Sequence, residues 1–149
     1  MQISLETRSG KIGVSLDSPS ILGIDDVKQR VENGISKARA LGVAANIAVV
    51  DAGGHLLYFV RMDGALLGSV DLAFRKARTS ALFRTESGSL GQRSQPGGAL
   101  WSIENSNGGL VTFGGGVPLL NRGGLCIGAV GVSGGSVEQD EQIARSCNY

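Results

Sequence analysis

Ile24, Val27, Val31, Ile35, Ala38 and Leu41 recur at spacings of three and four, which lays one apolar stripe along a helix. Asp25 and Asp26 stand at its electrically positive end, and Gly42 supplies a stop. The period then changes. Ala45–Asp51 (ANIAVVD) is a continuous apolar run that reads as a buried strand, Ala52-Gly53-Gly54 is a turn, and His55–Asp63 (HLLYFVRMD) is a second strand. From Ser69, which is a candidate cap, Val70, Ala73, Phe74, Ala77 and Ala81 share one face of a second helix. Thr85 to Asn107 is polar and contains SQPGG, so loops and short helical turns are predicted there. Three strand-like runs follow, Gly109–Phe113 (GLVTF), Gly116–Leu120 (GVPLL) and Leu125–Val132 (LCIGAVGV). Ser136 with Gln139 three residues later makes a capping box for a last helix.

The connections between strands are short, and a parallel pair would need a long crossover. The pattern therefore predicts an α+β domain, with one five-stranded antiparallel sheet and helices packed on it. That domain spans residues 24–149, and residues 1–23 are an N-terminal extension. Within the extension, QISLETR and KIGVSLD alternate partly around Ser9-Gly10, as a hairpin or an extended arm would.

Composition narrows the function classes. The chain has 149 residues and a net charge of +1, which gives no bulk electrostatic case for nucleic acid or a membrane surface. No apolar run approaches the ~20 residues of a membrane span, and MQISLETRSGK lacks the order of a signal peptide, so a cytoplasmic location is expected. Cys126 and Cys147 have no CxxC neighbour, and no metal cluster is expected from so few ligands.

The 24 glycines are roughly twice the ordinary frequency and cluster at the ends of apolar runs. Gly114-Gly115-Gly116 lacks the Lys-Ser/Thr of a phosphate loop, and the dinucleotide fingerprint fails because Leu119 occupies its last position. The run instead suits a turn that brings backbone close to another element, a partner subunit or a small ligand. Val117-Pro118 after it suits a strand start or an edge strand.

Candidate chemistry is spread thinly. His55 is the sole histidine; with an ordinary pKa of about 6.5 it is a candidate acid/base or metal ligand, weighed against a plain turn residue. Asp51 lies four residues earlier, as a partner for the imidazole or as a turn former. Arg61 is placed to clamp a carboxylate or to pair with Asp63 or Asp71. The long polar loop offers Trp101 as a pocket floor or as an anchor to the core, and Gln95, Glu104 and Asn107 as polar contacts. Glu138 begins the last helix, as a favourable dipole partner or as an acid/base at a subunit boundary.

IAVVDAGGHLLYFVRMDGA, SVDLAFRKARTSALF, QPGGALW, NGGLVTFGGGVPLLNRGG and IGAVGVSGGSVEQDEQIA together resemble the GlcG/HbpS family, the haem-degrading domain family that includes the C-terminal domain of PduO proteins. The resemblance covers about residues 24 to 147. It implies a profilin-like or PAS-like α+β fold and homo-oligomers. It also implies that Lys76 and Thr79, which correspond to the Lys and Thr of DxAxxKAxTA, lie beside a pocket. Members that bind haem through a histidine place it near the start of the first helix, where SILGIDDVKQRV here has none.

Two functions follow as expectations. The first is binding, with conversion of isomerase, lyase or cyclase type and no redox cofactor, of a small carboxylated or oxygenated metabolite. Arg61, Lys76, Gln95, Trp101, Asn107, Gly114, Gly115 and Gly116 would hold it, and His55, Asp51 or Glu138 would move protons. The alternative is a haem- or corrinoid-binding accessory or sensor protein. A scaffold without a small-molecule site is the third and plainest possibility.

Overall fold

The computed structural model describes residues 21–148, so the reading of residues 1–20 as a hairpin or arm lies outside the described residues. In chain order come α1 (Ile24–Ala40), β1 (Asn46–Asp51), β2 (Leu56–Arg61), α2 (Gly68–Phe83), α3 (Ser87–Arg93), a 3-10 turn at Ile103–Asn105, β3 (Gly116–Leu120), β4 (Cys126–Ser133) and α4 (Val137–Ser146). All the strand pairs are antiparallel, in the order β2-β1-β4-β3. The fold is thus α+β, with a sheet of four strands among the described residues and not five.

The missing strand is Gly109–Phe113. Its backbone is engaged, but not by a strand. Leu110 N–H donates to the Glu104 carbonyl, Val111 N–H donates to Thr79 Oγ1, and the Phe113 carbonyl accepts from Ser87 Oγ. Loop and helix partners have taken the places that a ladder would fill. Pro118 does sit on an edge strand, β3, where its missing N–H costs no ladder bond. Ser69 lies inside α2, whose flanking residue is Leu67, and no side chain caps that end. The capping box of α4 forms as expected, with Ser136 Oγ accepting from Gln139 N–H and Gln139 Oε1 accepting from Ser136 N–H.

The two faces of the sheet are packed differently. On one, Val27, Val31 and Ile35 of α1 and Ile143 of α4 meet Ile47, Val49, Val130 and Val132. Each such side chain contributes about 1.5–3 kcal/mol on burial. On the other, Ala73, Ala77 and Ala81 of α2 lie on Ala48, Val50 and Ala129. Small residues let α2 come unusually near. A Cβ added at Gly131 would stand 2.0 Å from the Ala73 carbonyl oxygen. That closeness brings Lys76, on the sheet-facing side of α2, to the start of β3 and the end of β4.

Candidate functional site

Gly114, Gly115 and Gly116 are the point at which four elements converge. A Cβ at Gly116 would lie 2.3 Å from the Lys76 carbonyl oxygen of α2. One at Gly115, where φ is +119°, would lie 2.6 Å from the Val132 carbonyl oxygen and 2.9 Å from Lys76 Nζ. One at Gly114 would lie 2.2 Å from Glu141 Oε1 on α4. None of the three positions has room for a side chain, so close approach of backbone accounts for the run.

Lys76 is buried completely. Its Nζ donates to Asp140 Oδ2 and to the Val132 carbonyl, each at 2.9 Å, and stands 4.8 Å from the centre of the Phe113 ring. Burial pulls its pKa below the ordinary lysine value, against the hydrogen bond and charge of Asp140 and the charge of Glu141. Asp140 Oδ1 also accepts from Gly135 N–H, so the pair ties α2, β4 and the start of α4 together.

Outside this pair runs a groove of about 520 Å³, walled by α3, Thr112–Gly114 and α4. Glu86 and Arg145 cross it as a two-bonded ion pair at 2.8 and 3.2 Å. Glu141 stands 3.9 Å from Arg145. Gln95, Gly114 and Phe113 line this groove, and the Phe113 ring also has the Lys76 ammonium over it.

The other expected site residues lie elsewhere. Arg61 lines a separate hollow with Ile35, Arg39 and Met62. Trp101 is exposed, and so is Asn107, whose carbonyl accepts from the Arg78 guanidinium. Arg75 likewise donates to the Gly108 and Gly109 carbonyls, so the basic face of α2 clasps the polar loop. Glu138 is exposed on the first turn of α4. The structure brings Lys76, Gly115 and Gly116 together, and Gln95 with Gly114, but sets Arg61, Trp101 and Glu138 apart from them.

Asp51 and His55 form a cluster of their own at the β1–β2 turn, where Asp51 pairs with Gly128, whereas Gly116 pairs with Gly131. His55 Nδ1 is 3.4 Å from Asp51 Oδ1, and the imidazole side chain is 84% exposed. The same oxygen accepts from the Gly53 and His55 N–H groups at 2.9 Å. Slight burial raises the Asp51 pKa, but the two backbone bonds and His55 outweigh it and hold the carboxyl below its ordinary value. Beside it is an apolar hollow of about 370 Å³ lined by Ile21, Leu22, Leu57, Ile127 and the Asp51–Gly53 turn.

Sequence reasoning missed Glu86, Phe113, Glu141 and Arg145. Glu141 and Arg145 are four apart on one helix and were open to a spacing argument. The Glu86–Arg145 pair joins residues 59 apart and left no local signal. The cysteines add no reactive group here. Burial pushes the Cys147 thiol up to about 12, and the half-buried Cys126 donates to the Gly128 carbonyl.

A family model described as "Haem degrading protein HbpS-like" matches residues 22–147. The chain is 41% identical over 130 residues to the corrinoid adenosyltransferase PduO of Salmonella typhimurium, covering 87% of this chain but 38% of that protein. It thus spans well under half the length of that relative. Among solved structures, the PduOC:haem complex superposes with a TM-score of 0.81 at 41% identity, covering 85% of this chain and 92% of that one. Protein ORFY of Klebsiella pneumoniae gives 0.83 at 32% identity, covering 97% and 94%.

Proposed function

The chain belongs to the HbpS-like family, and from that premise we propose that it binds a metallotetrapyrrole of the haem or corrinoid type through His55. The observation that carries the reading is the geometry of the β1–β2 turn. An exposed imidazole stands against Asp51, whose turn with Ala52 and Gly53 lines an apolar hollow, with that carboxylate at Nδ1 and no hydrogen bond from a described residue at Nε2. A carboxylate at one ring nitrogen fixes the tautomer and raises the basicity of the other, which is the usual support for a metal-ligating histidine. Among the described residues no three His, Cys, Asp or Glu side chains gather to hold a bare ion. A macrocycle brings four ligands of its own, so one imidazole suffices. The haem complex of the PduO C-terminal relative supports the same ligand class.

In this reading His55 would hold the metal through its ring nitrogen and Asp51 would orient the imidazole. Ile21, Leu22, Leu57 and Ile127 would give the apolar part of the macrocycle a surface to rest on. The bound metal would supply redox or ligand-binding chemistry. The protein's part is to hold the imidazole directed through the Asp51 carboxylate. Titration with haemin is expected to give a shifted Soret band that His55→Ala abolishes, and Asp51→Asn is expected to weaken binding about tenfold. An unchanged band in His55→Ala sinks the proposal.

A further inference from the structure

We propose that the groove between α3, Thr112–Gly114 and α4 is a second site, for a small protonated organic amine whose apolar part rests on Phe113 and Val137. The inference does not depend on the tetrapyrrole reading, which concerns the β1–β2 turn. The groove's size, about 520 Å³, falls within the range of roughly 300–1,000 Å³ typical of small-molecule sites.

Glu141 points to the charge of the ligand. Its side chain is only 29% exposed, yet no described residue donates a hydrogen bond to its carboxylate. An ionised carboxylate has about four acceptor positions, so Glu141 has the capacity to take the N–H groups of a ligand ammonium that enters the groove. The nearest cation, Arg145, is 3.9 Å away and has turned its guanidinium to Glu86. Lys76, behind the wall, is spent on Asp140 and Val132. Gly88 and Gly114 make the recess that holds this carboxylate, since added Cβ atoms would stand 3.2 and 2.2 Å from Oε1. The ionised groups lining the groove are Glu86, Glu141 and Arg145, two negative against one positive.

Phe113 and Val137 set the rest of the ligand. Both are exposed apolar side chains in an otherwise polar lining. The Lys76 ammonium already occupies the cation-attracting position over the Phe113 ring, so the exposed part of that ring suits an apolar or aryl group better than a second cation. The ammonium of the ligand then falls to Glu141. An anion could use only the Arg145 N–H groups that Glu86 leaves over, and would meet Glu86 and Glu141 as like charges.

The test is a titration of the 15N-labelled protein with benzylamine, benzyl alcohol and benzoate, which share a ring and differ in charge. Benzylamine is expected to move the amide signals of Gly88, Gly114 and Val137 and to saturate in roughly the millimolar range. Benzyl alcohol should bind more weakly, and benzoate should leave these signals in place. Glu141→Gln keeps the side-chain shape and should weaken benzylamine about tenfold, while Glu32→Gln on the exposed face of α1 should not. Far-UV circular dichroism confirms that both variants are folded. Equal shifts with benzoate, equal affinity in Glu141→Gln, or no shift with benzylamine would each overturn the proposal.

Discussion

Glu104 shows how one side chain holds a long loop. Its Oε1 accepts from Ser94 Oγ and from Thr112 Oγ1, both at 2.7 Å, and its carbonyl accepts from Leu110 N–H. The Ser94 hydroxyl first, then that of Thr112, hold the carboxyl below its ordinary pKa. A carboxyl whose pKa is depressed by folding adds stability that is fully present above the unfolded value, about 4.3, and is lost as pH falls through the lower folded value. Glu104→Gln should therefore lower stability near pH 7 by about 1 kcal/mol, or roughly 4 °C in Tm. The gap between variant and wild type in thermal unfolding should close as pH is taken below about 4. A gap that persists there would assign the effect to packing and not to charge.

At the scale of elements, the Lys76–Asp140 pair joins α2 to α4 across the edge of the sheet. Removing one member leaves a buried charge without its partner, which costs about 3–5 kcal/mol. Lys76→Ala should show that loss in chemical denaturation. Lys76→Ala with Asp140→Ala should cost less than the sum of the two single changes, because neither charge is then stranded. Additive losses would mean that the two groups are stabilised separately. Lys76 was legible as a chemical group through the family resemblance, which sets it with Thr79 on one side of α2 beside a pocket. Its burial was not, because that depends on a carboxylate 64 residues away. The helices could be read because each buries a single face, and β1 because nearly all of it is buried. Gly109–Phe113 has a strand's composition but finds its partners in Glu104, Thr79 and Ser87, and side-chain and loop partners leave no period in a sequence. The Asp51–His55 contact was legible because it spans one turn. The groove was not, because its walls come from three distant segments.

At the scale of the whole molecule, the open sheet has two edges, and they differ. β3 carries Pro118 and is mostly buried. β2 reads LLYFVR, and no described strand pairs with its outer edge. Leu56 is 53% exposed and Leu57 37%, with Ile21 exposed near the same end of the sheet. A long apolar edge invites pairing with another chain unless something covers it. We propose that a second copy of this chain does so, which would account for the homo-oligomer that the family resemblance implies. Light scattering on the purified protein should then give a multiple of 15.3 kDa. Leu56→Lys with Leu57→Lys places two charges on the edge, a device by which natural edge strands avoid pairing. That variant should fall to the single-chain mass with an unchanged far-UV spectrum, since neither residue belongs to the buried core. A wild-type protein that already runs as one chain, or a variant that keeps the larger mass, would remove β2 as the interface.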